Sequence, residues 1–135
     1  MLKQLDHIGI AVNDLESSAF LYRELLGLEF MGEEELPAEG VKTLFFNLEG
    51  VKIELLAGTG EDNPISKFVT KRGEGIHHLA FMVEDLATRL EELREKGVRL
   101  IDKKPRPGAG GKLIAFLHPR STGGVLIELC EKPVS

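Results

Sequence analysis

The segment Asp6-His7-Ile8-Gly9-Ile10-Ala11-Val12-Asn13-Asp14-Leu15 returns, at an offset of 71 residues, as His77-His78-Leu79-Ala80-Phe81-Met82-Val83-Glu84-Asp85-Leu86. His, Val, Asp and Leu recur at matched positions, and the alternation of apolar residues recurs with them. A chain that contains itself twice folds as two copies of one supersecondary unit, and each copy leaves an apolar face for neighbouring structure to cover. This repeat sets the architecture before any other feature is considered.

Each copy opens with a strand pattern and then enters a helix. Asp14 and Asp85 are natural N-caps, because a short carboxylate accepts the free N–H groups of a first helical turn. Leu86, Leu90 and Leu93 follow helical spacing, as do Leu15, Tyr22 and Leu26, and Gly27 and Gly97 are the expected stops. Strand-like runs follow at Glu29 to Leu36, Val41 to Leu48 and Val51 to Ala57 in the first copy. The second copy offers Val98 to Asp102, Lys112 to His118 and Val125 to Cys130.

Phe45-Phe46 matches Phe116-Leu117 at the same offset, whereas Val51-Lys52-Ile53-Glu54-Leu55 matches Val125-Leu126-Ile127-Glu128-Leu129 at 74. The longer turn Pro119 to Gly124 accounts for the difference. The expected class is α+β: two tandem βαβββ modules, about 1–58 and 74–131, forming a curved mixed sheet in a single domain. A short helix started by Asn63-Pro64 links them.

The chain has 135 residues, 42% of them hydrophobic, enough for one ordinary domain core. No apolar run approaches the roughly 20 residues that span a bilayer, so no membrane partner is expected. Met1 leads almost directly into the alternating Leu5 to Val12, which leaves no room for a targeting peptide and makes the cytoplasm the default location. The single cysteine, Cys130, reads as a buried small hydrophobe in a reducing compartment. A formal charge of −5 argues against nucleic acid, whose binders carry a basic excess.

Alternation divides the first strand of each copy into two faces. Ile8, Ile10 and Val12 suit packing under helices, while His7, Gly9 and Ala11 point the other way. Leu79, Phe81 and Val83 likewise oppose His78, Ala80 and Met82. The small residue beside each His leaves a hollow suited to a ligand.

The repeat makes His7 equivalent to His78, and Glu54 equivalent to Glu128. Taken singly, each is more often a structural or solvated residue; recurrence on matched strands turns the four into a metal-ligand set. Two imidazoles and two carboxylates suit a divalent ion such as Co²⁺, Mn²⁺, Ni²⁺ or Zn²⁺. His77, the repeat mate of Asp6, and His118, beside a turn proline, read as structural.

With these segments together, the chain resembles the vicinal oxygen chelate superfamily of glyoxalases, bleomycin resistance proteins and dioxygenases. End to end, it is similar to the methylmalonyl-CoA epimerase family within it. Asn63-Pro64-Ile65, Gly75-Ile76-His77-His78, Gly108-Ala109-Gly110-Gly111-Lys112, and Phe116-Leu117-His118-Pro119 continuing through Gly123-Gly124 carry the resemblance beyond the first strand. It implies metal ligation by His7, Glu54, His78 and Glu128, with Co²⁺ the leading ion, and a homodimer. The implied substrate is methylmalonyl-CoA, whose (R) and (S) forms interconvert through loss of the C2 proton. A strand carboxylate of some epimerases is matched by Thr43.

Inverting a carbon centre by two bases requires acid/base groups on opposite faces of a planar enolate. Glu128 is the first candidate, and Glu54 is its partner by repeat symmetry. Lys112 and Arg120 are candidates for the coenzyme A phosphates, with Lys103, Lys104 and Arg106 nearby. Gly111-Lys112 is followed by Leu113, so the glycines do not form a P-loop. Three other readings share the fold: a glyoxalase I-like lactoylglutathione lyase, an extradiol dioxygenase and a non-catalytic binding module.

Overall fold

The computed structural model describes residues 1–132. The chain divides into two compact units, His7–His77 and, in the other, Met1–Asp6 with His78–Ser135. The two expected βαβββ sequences are both present, as β1-α1-β2-β3-β4 and β5-α3-β6-β7-β8, with helix α2 lying between them in sequence.

In the first unit, β1 (Gln4–Ala11) runs parallel to β4 (Val51–Gly58). The latter closes an antiparallel meander with β2 (Glu29–Leu36) and β3 (Val41–Leu48). The sheet order is β2-β3-β4-β1. Paired residues in a sheet share a face, so register alone sorts the side chains. Ile8, Ile53, Phe46 and Phe30 form one row, and Ile8, Ile53 and Phe46 belong to the core under the first helix with Leu44, Leu55, Leu15 and Tyr22.

That helix starts where the sequence placed it. Asp14 accepts from the N–H groups of Glu16 at 3.2 Å and Ser17 at 3.4 Å, and α1 spans Leu15–Phe20. It then widens into a π-helical turn, Leu21–Leu25, before Gly27 at φ 73° ends it. The wider turn breaks the 3.6-residue spacing. Leu26, expected on the core face, is therefore exposed, and Leu28 packs in the core instead.

Helix α2 (Pro64–Arg72) begins at Asn63, whose side-chain oxygen accepts from Ser66 N–H at 2.8 Å. Its Ile65, Phe68 and Val69 pack on Ala11, Val41 and Leu56, so one end of the His7 face is covered by protein.

The second unit repeats the pattern. Strands β5 (Gly75–Met82) and β8 (Ile127–Glu131) are parallel, β7 (Leu113–Leu117) pairs antiparallel with β8, and the order is β5-β8-β7-β6. Helix α3 (Leu86–Glu95) buries Leu86 and Leu90 against Val83, Ala115, Leu117 and Leu129, with Leu93 beside them. Gly97 at φ 89° follows its end. Cys130 is fully buried with Ala80, Met82 and Ile114, as expected.

The expected strand Val98 to Asp102 is not formed. A lone bridge, Leu100 with Leu117, stands there, and β6 is the two-residue Arg106–Pro107. Asp102 supplies the reason. Its Oδ2 accepts the Phe116 N–H at 2.8 Å, where a strand would have offered a carbonyl, and its Oδ1 accepts from Arg106 Nε at 2.8 Å.

Candidate metal-binding and acid/base site

Each unit buries one His–Glu pair. In the first, His7 on β1 and Glu54 on β4 are 4% and 3% exposed, and His7 Nδ1 lies 3.1 Å from Glu54 Oε2. Glu54 pairs with Gly9, two residues along from His7, so the carboxylate extends beside a position with no side chain. Phe45 on β3 and Gly32 on β2 complete this row, and Ala11, Leu56, Thr43 and Glu34 form the next.

The second unit carries the same device. Glu128 on β8 pairs with Ala80, two residues along from His78, and His78 Nε2 lies 3.6 Å from Glu128 Oε1. Phe116, the register partner of Glu128 on β7, sets its ring edge-on to His78, with centroids 5.7 Å apart. The His-x-small sequence beside a parallel-paired Glu is thus realised in both copies. The pairs differ in one respect: Nδ1 faces the carboxylate in the first and Nε2 in the second.

Whether these residues suit a metal can be judged from their donors. Imidazole nitrogens and carboxylate oxygens are borderline and hard ligands for divalent ions. His7, Glu54, His78 and Glu128 all occur in groups of buried side chains able to hold a metal ion. A buried carboxylate and imidazole that lie close together are costly without a cation or proton to satisfy them. The donors of each pair therefore suit a divalent ion.

The basic candidates separate. Lys112 sends its Nζ to Asp6 Oδ2 at 2.5 Å, and the Asp6 side chain is 4% exposed. Sequence reading missed Asp6; the signal was its place in step with Ile8, Ile10 and Val12, where a carboxylate needs a buried partner. Arg106 lies over the Phe116 ring, 5.6 Å from its centroid, as well as bonding Asp102. Lys103, Lys104 and Arg120 are exposed.

The two remaining histidines have structural contacts. His77 sets its ring edge-on to Phe68, with centroids 5.0 Å apart. Burial, helped by Arg72, pushes its imidazole down from 6.5 to about 4. His118 Nδ1 accepts from the Arg120 N–H at 3.1 Å and starts the short turn Pro119–Ser121. A groove of about 570 Å³ lined by Asn13, Ser66, Lys67 and Thr70, among others, contains none of the predicted site residues.

Each unit thus has one parallel and two antiparallel pairings and a buried His–Glu pair, so the repeat read in the sequence is present in the fold. The chain belongs to the glyoxalase/bleomycin resistance protein/dioxygenase superfamily, whose family model matches residues 6–116. Within it, the chain is 42% identical over 131 residues to an ethylmalonyl-CoA/methylmalonyl-CoA epimerase of Cereibacter sphaeroides, covering 96% of this chain and 98% of that protein. It is 40% identical to a mitochondrial methylmalonyl-CoA epimerase of Homo sapiens, covering 95% of this chain and 73% of that protein. A solved methylmalonyl-CoA epimerase in complex with methylmalonyl-CoA and NH4+ matches with TM-score 0.94 at 36% identity, covering 99% of this chain and 97% of that one.

Proposed function

We propose that this protein is an isomerase that interconverts (R)- and (S)-methylmalonyl-CoA by removing and returning the C2 proton. The observation that carries the reading is the buried His–Glu pair repeated in both units, in a chain that matches epimerases over nearly its whole length. His7, Glu54, His78 and Glu128 together are the proposed ligands of one divalent ion, with Co²⁺ the first to test.

The chemical obstacle is the enolate. When bound, a divalent ion supplies Lewis-acid stabilisation of the charge that develops on the thioester oxygen. The protein's own work is proton transfer and exclusion of water. Glu128 is the proposed acid/base group on one face of C2, and repeat symmetry makes Glu54 the first candidate for the other. Phe116, packed against His78 and paired with Glu128, helps keep solvent from this carboxylate. Lys112 and Arg120 are the proposed contacts of the coenzyme A phosphates, with Asp6 orienting Lys112.

We further infer a homodimer. Phe20, Leu21, Leu25 and Leu26 are exposed along the first helix, and an apolar stripe of that kind marks an interaction surface. A reducing cytoplasm suits the buried Cys130 thiol.

The test is proton NMR of methylmalonyl-CoA in D₂O with metal-stripped protein, cobalt-reconstituted protein and Glu128→Gln. Cobalt-dependent loss of the C2 proton signal, abolished by the substitution, is expected. Exchange no faster than the protein-free rate with every ion would redirect the search to glutathione hemithioacetals and catechols.

A further inference from the structure

Epimerisation needs two acid/base groups, and symmetry gives the second role to a poorly suited residue. Glu54 is itself a proposed metal ligand and lies 3.1 Å from His7, closer than the 3.6 Å between Glu128 and His78, so it is the more engaged of the two carboxylates. A better candidate would be a carboxylate on the same face, close enough to reach the reacting carbon but outside the ligand set.

The register of the first unit isolates one. Strand β2 carries Glu33, Glu34 and Glu35 in succession, and alternation separates them. Glu33 and Glu35 are exposed, and Glu33 pairs with Lys42 at 3.3 Å. Glu34 turns the other way and is half-buried, as are Gly32 and Leu36 on its side of the strand. Its register partner is Thr43, which pairs in turn with Leu56, one row from Glu54. Thr43 is 1% exposed, a buried polar residue that the mechanism above does not use.

The spacing is suitable. Two strand steps and two residues along the strand set the Glu54 and Glu34 Cα atoms about 12 Å apart in a flat sheet. Both side chains rise from the same face, so Glu34 flanks the proposed ligand set without belonging to it, and the short Thr43 stands in its row on the strand between.

We propose that Glu34, placed by its register with Thr43 on the face of His7 and Glu54, is the acid/base group for the second face of the substrate carbon. This rests on the epimerase reading. In one direction the Glu34 carboxylate takes the C2 proton, the C–H electron pair passes into the enolate, and a protonated carboxyl on the opposite face returns a proton to C2. In the reverse direction Glu34 is the protonated donor. Proton exchange with water resets both groups.

The experiment follows deuterium entry at C2 from each epimer separately in D₂O, with cobalt-reconstituted wild type, Glu34→Gln, Glu34→Asp and Glu35→Gln. Metal content and thermal midpoint are measured on every sample. Glu34→Gln is expected to keep its metal and its midpoint, to lose inversion by about 100-fold or more with KM little changed, and to exchange one epimer only. Glu34→Asp should slow inversion while exchange stays two-sided, and Glu35→Gln should match wild type. Two-sided exchange with undiminished inversion in Glu34→Gln overturns the assignment, as does loss of exchange from both epimers or loss of metal. Wild type that exchanges neither epimer overturns the epimerase reading and this inference together.

Discussion

Lys112 and Asp6 form an ion pair from which water is largely excluded, and such pairs respond asymmetrically to mutation. Removing one partner leaves a charge in a medium that solvates it poorly, whereas removing both does not. Lys112→Met should therefore destabilise the protein by about 3 kcal/mol, and the double variant with Asp6→Asn should recover part of that loss in urea unfolding. His77 acts through pH. Its folded value of about 4 lies below the ordinary 6.5, so between these values the unfolded chain binds a proton that the folded chain refuses. The contribution to stability is intact above pH 6.5 and is lost as pH falls toward 4. His77→Phe should flatten that part of the stability–pH curve, and the imidazole of the folded protein should show no NMR titration step near 6.5.

Among the elements, α3 has the more unusual cap. Asp85 sits at φ 51°, a left-handed conformation that a short polar side chain tolerates, and its carboxylate accepts from Thr88 Oγ1 at 2.7 Å. Asp85→Ala loses the cap while keeping the backbone strain, and should cost about 1–2 kcal/mol. Asp85→Asn should cost much less, as a pair of thermal melts can show. The π turn in the first helix carries the complementary lesson. One extra residue in the turn brings Leu25 and Leu26 to the surface, supplying part of the stripe inferred to join two copies. Leu25→Glu should shift the protein toward monomer in sedimentation velocity and leave the α-helical signal unchanged.

For the molecule as a whole, a ligand that binds only the folded state adds to stability in proportion to the logarithm of its excess over Kd. If His7, Glu54, His78 and Glu128 share an ion, chelation should lower the thermal midpoint, and added Co²⁺ should restore it in a concentration-dependent way. His78→Ala should abolish that dependence while the metal-free midpoint changes less. A midpoint indifferent to Co²⁺ in the wild type would count against a bound ion.

The sequence by itself determined the duplication, the order βαβββ in each copy, the caps at Asp14, Asn63 and Asp85, and the equivalence of His7 with His78 and of Glu54 with Glu128. These are legible because period-2 alternation, capping chemistry and repetition are local or nearly so. Only the tertiary structure decided the rest. Asp102 displaces a strand because its side chain competes for the Phe116 N–H, a contact 14 residues away that no local pattern announces. Lys112 meets Asp6 across 106 positions. Glu34 is told from Glu33 and Glu35 by cross-strand register, for the three are identical in sequence and only pairing with β3 assigns each a face.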